Sequence, residues 1–135
     1  MSGYSGTPLP KKLGIKPGFR VWFANAPANV VAELRKALAE CQISRDRGDV
    51  DFALVFSESS RGLAAEFSKL AGHLAPAGML WASWPKKSSG VATDLSEDEV
   101  RKIGLAAGLV DVKVCAITDV WSGLKFVRRL KDRAR

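Results

Sequence analysis

Few residues in this chain have the types and spacing that catalysis needs. There is one histidine, His73, and there are two cysteines, Cys41 and Cys115. His73 lies in a helical stretch with no acid or nucleophile placed by sequence to form a relay with it, so it is not read as a general base. The cysteines lack a Cys-x-x-Cys spacing and sit in apolar surroundings, so they read as buried thiols. No metal-ligand cluster, no Gly-x-Gly-x-x-Gly and no phosphate-binding loop occurs. What remains is a set of polar, charged and aromatic residues just after predicted strands: Asn25, Glu58, Arg61, Trp84, Lys86, Lys87, Asp119, Trp121 and Ser122. Open parallel sheets bind ligands beyond the carboxyl ends of their strands. That rule would gather an acid, an amide, aromatic faces and three cations on one rim, a chemistry suited to a small anionic ligand.

The elements that must position these residues can be read from apolar patterning. Arg20–Ala24 is a short apolar run after the Lys16-Pro17-Gly18 turn and predicts a buried strand. Asn25-Ala26-Pro27 breaks it. Val30, Val31, Leu34, Ala37, Leu38 and Cys41 then recur at helical spacing to about Glu40. Ile43–Asp49 reads as a polar connection. Val50–Phe56 is almost wholly apolar, the mark of a strand covered on both faces. Ser57–Ser60 can cap a helix whose stripe is Leu63, Phe67, Leu70, Ala71 and Leu74, stopped by Ala75-Pro76-Ala77-Gly78. Met79–Trp84 is a third strand. Ser96 with Glu99 forms a capping box, with Leu95 and Val100 as its hydrophobic staple, for a helix ending near Gly108. Val110–Thr118 and Gly123–Leu130 are the last two strands, and their short link requires an antiparallel hairpin. The order predicts an α/β, Rossmann-like, mainly parallel sheet of about five strands, with helices on both faces and a C-terminal antiparallel hairpin.

Composition agrees with one globular domain. The chain has 135 residues, 47% hydrophobic and 26% charged, which excludes a disordered chain, a collagen-like repeat and a membrane protein. The formal charge of +7 is uneven. Residues 1–20 carry Lys11, Lys12, Lys16 and Arg20 and no acid. Residues 121–135 carry Lys125, Arg128, Arg129, Lys131, Arg133 and Arg135 against Asp132. The hundred residues between are slightly acidic. This divides the chain into a basic segment over 1–19, a domain over 20–130 and a basic tail over 131–135. With no signal-peptide pattern and no disulfide framework, a cytoplasmic location is expected.

Several segments carry resemblances. Lys16-Pro17-Gly18-Phe19-Arg20-Val21 resembles the approach to the first strand of class I S-adenosylmethionine-dependent methyltransferases. Leu74-Ala75-Pro76-Ala77-Gly78-Met79-Leu80 resembles their turn before a central strand, and the terminal hairpin matches their antiparallel last strand. Over nearly its whole length the chain resembles a bacterial family catalogued as domain of unknown function 3052. Gly3-Tyr4-Ser5-Gly6-Thr7-Pro8-Leu9, Trp84-Pro85-Lys86-Lys87, Asp111-Val112-Lys113-Val114-Cys115-Ala116 and Trp121-Ser122-Gly123-Leu124 carry that likeness. It implies a fold and no activity.

The methyltransferase likeness implies a cofactor site with a glycine-rich turn after the first strand and an acid ending the next. This chain has Asn25-Ala26-Pro27-Ala28-Asn29 in place of the glycines. Pro27 removes a donor, and side chains stand where close approach is required. Glu40 to Val50 is too short for a full strand–helix repeat. The leading reading is therefore a methyltransferase-like domain without the usual cofactor motif, binding a ligand or protein partner and needing no cofactor. The alternatives are an enzyme using Lys86 or Lys87 to hold an anion and Glu58 or Asp119 as acid–base group, and a weak nucleic-acid binder through the basic ends. Of the partners, nucleic acid and membrane are not expected, and the sequence does not fix the oligomeric state.

Overall fold

A computed structural model describes residues 7–44 and 49–133. Gly3–Gly6 of the N-terminal motif, most of the polar connection after Ile43, and the last two residues of the basic tail lie outside the described residues.

The two central strands explain the architecture. β3 (Val50–Phe56) and β4 (Leu74–Pro85) run parallel and adjacent. In β3 the residues from Phe52 to Phe56, and in β4 those from Leu80 to Trp84, are buried on both faces. Both faces must therefore be covered, and they are. α1 (Leu9–Leu13) and α2 (Ala28–Leu38) cover one face, packing Leu9, Leu13, Val30 and Leu34 on Val21, Phe52, Leu54, Phe56 and Trp81. α3 (Ser60–Leu70) and α4 (Glu97–Ala106) cover the other, packing Leu63, Phe67, Leu70 and Val100 on Ala53, Val55, Leu80, Ala82 and Phe126.

The remaining strands are β1 (Arg20–Ala24), β2 (Gln42–Ile43), β5 (Leu109–Ala116) and β6 (Trp121–Arg128). The sheet order is β2-β1-β3-β4-β6-β5. The β1–β2, β1–β3 and β3–β4 pairs are parallel, while β6 runs antiparallel to both β4 and β5. This is the Rossmann-like, methyltransferase-like sheet expected, with six strands rather than about five.

The added strand is β2, two residues paired with Arg20 and Val21 at the sheet edge inside the segment read as a connection. β4 also starts five residues earlier than expected. Leu74, assigned to a helical stripe, begins the strand opposite Val50, and the register slips before Phe52 pairs with Met79. Ala75–Gly78 occupies that slip. A Cβ on Gly78 would stand 2.7 Å from the Val50 carbonyl, so the strands approach there only because the residue is glycine.

Local signals were realised at the helix starts. Ser96 Oγ accepts from the Glu99 amide at 3.2 Å, and Leu95 and Val100 join the core cluster beneath α4. Ser59 Oγ accepts from the Gly62 amide at 3.0 Å at the start of α3. The described part of the basic segment 1–19 contributes to the core through Leu9 and Leu13, and the Trp81 indole N–H donates to the Leu13 carbonyl at 2.9 Å. Cys41 and Cys115 are half-buried and unlinked, and burial pushes both thiols above their ordinary pKa.

Two contacts give tests. At the N-terminal end of the sheet, Arg20 donates to Asp51 from Nε at 2.9 Å and from Nη2 at 3.0 Å, tying β1 to β3. Hydrogen bonding to Arg20 holds the Asp51 carboxyl below the usual aspartate pKa. A depressed native pKa adds stability that is complete above the unfolded value of about 3.9 and is lost as pH falls through the native one. Asp51→Asn should therefore be less stable than the parent at neutral pH. The gap should close as urea midpoints are taken at progressively more acid pH. Under α4, a Cβ on Gly104 would lie 2.0 Å from Phe126 Cε2. Gly104→Ala should cost about 1–3 kcal/mol by overpacking. Adding Phe126→Leu should recover part of that loss in the same urea titration.

Candidate functional site

The sheet reverses its winding between β1 and β3, since the chain passes outward from β1 to β2 and returns to β3 on the other side. Such a switch point leaves a crevice at the carboxyl ends of the two strands. Here a cleft of about 300 Å³ is lined by Asn25, Phe56, Ser57, Glu58 and Trp121. Three of the nine sequence candidates, Asn25, Glu58 and Trp121, thus meet in one place.

Each is there for a structural reason. Asn25 follows β1 and has φ 60°, the sole non-glycine residue at positive φ among the described residues. Asparagine tolerates this left-handed conformation better than most side chains. Its Nδ2 donates to the Phe56 carbonyl at 3.2 Å, so the amide bridges the ends of β1 and β3 across the switch point. Ser57 is held by its amide on the Ser83 carbonyl at 3.1 Å and by its hydroxyl on the Ser59 carbonyl at 2.9 Å. Glu58 follows, exposed, with its backbone carbonyl accepting from Thr93 Oγ1 at 2.6 Å. The loop before α4 is thereby stitched to the rim, and Asp94 Oδ1 accepts from the Ser60 amide at 2.8 Å. Trp121 opens β6 opposite Pro85 and sets its ring edge-on to Phe56, centroids 5.0 Å apart.

The other candidates stand elsewhere. Trp84 is 6% exposed and belongs to the core beneath α3 and α4, on the face opposite Trp121. The two tryptophans expected on one rim therefore serve opposite faces of the sheet. Ser122 is half-buried in β6, paired with both Trp84 and Ala116. Asp119 is exposed in the hairpin turn, and the Lys86 amide donates to the Val120 carbonyl at 2.8 Å, which holds Lys86 beside that turn. Lys87 opens a short helical turn over Lys87–Ser89, and Arg61 lies exposed on α3. None of the three cations lines the cleft. His73 is exposed just before β4, at the opposite rim. Among the described residues no group of acids, histidines and cysteines could hold a metal ion.

Phe56 lines the cleft although its sequence reads simply as the end of an apolar strand. The signal was its position, last before the polar run. The cleft therefore offers one carboxylate, one amide, one hydroxyl and an aromatic wall. These groups accept hydrogen bonds and favour cations and flat apolar rings.

Comparison with known proteins supports the fold. No family model and no curated protein sequence matches the chain. Solved structures do. The fold is similar to that of magnesium protoporphyrin IX methyltransferase from Synechocystis PCC 6803 with bound SAH, at 17% identity and TM-score 0.58, over 84% of this chain and 75% of that one. It is similar to a TehB-like SAM-dependent methyltransferase from Corynebacterium glutamicum, at 8% identity and TM-score 0.57, over 95% and 91%. Fibrillarin from Aeropyrum pernix, solved with natively bound S-adenosyl-L-methionine, matches at 15% identity and TM-score 0.54, over 93% and 71%. At these identities the likeness concerns the fold. No helix among the described residues is long and apolar enough to cross a membrane.

The role assigned to Asn25 separates two of its properties. Asn25→Ala keeps a Cβ at positive φ and loses the bridge, and should cost about 1–3 kcal/mol. Asn25→Gly removes the backbone strain while losing the same bridge, and should cost about 1 kcal/mol or less. Urea unfolding of both variants checks the order; equal losses would show that the backbone conformation contributes nothing.

Proposed function

We propose that this chain is a ligand-binding module on a methyltransferase-like frame and does not transfer methyl groups. The observation that carries the reading is the Asn25 bridge. Binding S-adenosylmethionine in this fold calls for a glycine-rich turn after β1, where backbone can approach the ligand. Here a side chain spans the switch point instead, donating to Phe56 at 3.2 Å, and Pro27 follows as the residue before α2. The edge strand beyond β1 has two residues, so it offers little platform for the ribose-binding half of such a site.

The cleft lining also refines the ligand. A small anion was the expectation from Arg61, Lys86 and Lys87, but the side chains that line the cleft include Glu58 and no cation. A flat aromatic molecule that is neutral or positively charged fits this lining better, lying on Trp121 and donating to Glu58 and Asn25. We also infer, from the motif segments named above, membership of the bacterial family catalogued as domain of unknown function 3052. A cytoplasmic location is proposed on the absence of a disulfide framework.

Thermal shift tests the reading, because a binder of the folded state raises the midpoint. Tryptamine and adenosine serve as aromatic probes, and adenosine monophosphate as the anionic counterpart. The expected result is a rise with tryptamine or adenosine, smaller with the monophosphate, and lost in Trp121→Ala. For tryptamine it should also weaken in Glu58→Gln. S-adenosylmethionine should give no calorimetric binding at micromolar affinity. Tight binding of that cofactor together with methyl transfer to any acceptor overturns the proposal.

A further inference from the structure

The fold brings two lysines that precede β1 to the same sheet face as two lysines of the last hairpin. Lys12 lies on α1, Lys16 on the turn before β1, Lys113 on β5 and Lys125 on β6. Lys125 lies between Leu124 and Phe126, which face α3 and α4, so its own side chain turns to the α1 side of the sheet. Lys113 is its direct partner in the β5–β6 ladder. α1 packs beside them, and two contacts fix the arrangement. Lys12 Nζ donates to the Ala116 carbonyl at 3.1 Å, and Lys113 Nζ donates to the Lys12 carbonyl at 3.4 Å. Cys115 stands between them and feels both Lys12 and Lys113.

Like charges directly opposite in a ladder destabilise it, whereas an acid across from a lysine stabilises it. Among the described residues, no salt bridge joins Lys16, Lys113 or Lys125 to a carboxylate. Asp111 is engaged elsewhere, accepting from Arg101 Nε at 3.0 Å. The proximity is felt at Lys125, whose ammonium is pushed below the ordinary lysine pKa by burial first, then by Lys113 and Lys16. Where Lys16, Lys113 and Lys125 gather with no salt bridge among the described residues, a phosphate polyanion relieves their repulsion.

We propose that Lys12, Lys16, Lys113 and Lys125 form a docking surface for the phosphate backbone of duplex nucleic acid. The extended spread of the lysines over two strands, a helix and a turn suits phosphates repeated along a backbone. Lysine holds phosphate as a point charge without reading bases, so binding is independent of sequence. Among the described residues no exposed aromatic ring accompanies the lysines, which separates the surface from single-strand sites built on stacking. The surface is distinct from the cleft, which Trp121, Phe56 and Glu58 line without a lysine.

Fluorescence anisotropy of the full chain with a labelled DNA duplex tests this, titrated between about 50 and 200 mM salt. Four neutralised phosphates predict a log–log slope of about −3.6, and Lys113→Gln with Lys125→Gln should bring it to about −1.8 and weaken binding about tenfold or more. That double variant relieves repulsion at the cost of one long exposed bond from Lys113 to the Lys12 carbonyl, so its thermal midpoint should stay close to the parent's, and lost binding then is not lost folding. Lys102→Gln with Lys131→Gln removes the same charge from exposed sites elsewhere and should leave most of the affinity. Equal losses in the two double variants overturn the proposal, because net charge alone would then account for binding. So does failure to bind duplex at the lowest salt. Binding of tripolyphosphate or anionic vesicles without duplex also overturns it, assigning the lysines to a free phosphate ligand or to a membrane surface.

Discussion

Burial of β3 and β4 on both faces is the constraint from which the rest of the structure follows. A strand in that position has no wet side, so the residues from Phe52 to Phe56 and from Leu80 to Trp84 are apolar but for the buried Ser83, and two separate layers must shield them. Trp81 shows how strict this is. Its indole N–H is wholly enclosed, and an unpaired donor there would cost about 1–3 kcal/mol. The Leu13 carbonyl meets it, and that carbonyl comes from a five-residue helix that brings Leu9 and Leu13 into the core. Residues before β1 are therefore structural, although their charge makes them look like an appendage. The same enclosure on the other side sets the tight approach of Gly104 to Phe126.

Legibility in the sequence followed the length and regularity of each signal. β1, β3 and the helices α2 to α4 could be read because apolar periodicity and capping residues agree over seven or more positions, or because a short apolar run is bounded by turns. The Ser96 cap is a local device, and its hydroxyl accepts from the Glu99 amide as that half of the box requires. α1 was not legible, being one turn long and interrupted by prolines. β2 was not legible either, because two residues carry no period and become a strand only by lying next to β1. The early start of β4 was hidden because Pro76 and Gly78 signal a turn, while their slip against Val50 keeps the chain extended.

The candidate site was legible as a rim and not as a set of contacts. Topology placed Asn25, Glu58 and Trp121 correctly at strand ends. It could not tell that Trp84 and Trp121, on adjacent strands but one residue out of register, face opposite sides of the sheet. Nor could spacing bring Lys12 to Ala116, which lie 104 positions apart. That contact arises because α1 folds under β5 and β6. Lys12 and Lys16 from one basic end thereby meet Lys125 near the other, while Arg20 and Arg128 are held elsewhere and the cleft keeps an acidic and aromatic character.

The position of β6 has a consequence for the order in which the molecule can assemble. Among the described residues, β5 has one strand partner, and that partner is β6. β6 is also the later of the two in the chain, and it lies between β5 and β4. During synthesis from the N-terminus, the parallel half from β1 to β4 can form while β5 still has nothing to hold. Completion then waits for a strand that must enter between its neighbours, closing two ladders in one step. Until that step the outer side of β4 is open, and the interval between making β4 and making β6 is when the nascent chain is most exposed to pairing with a neighbour.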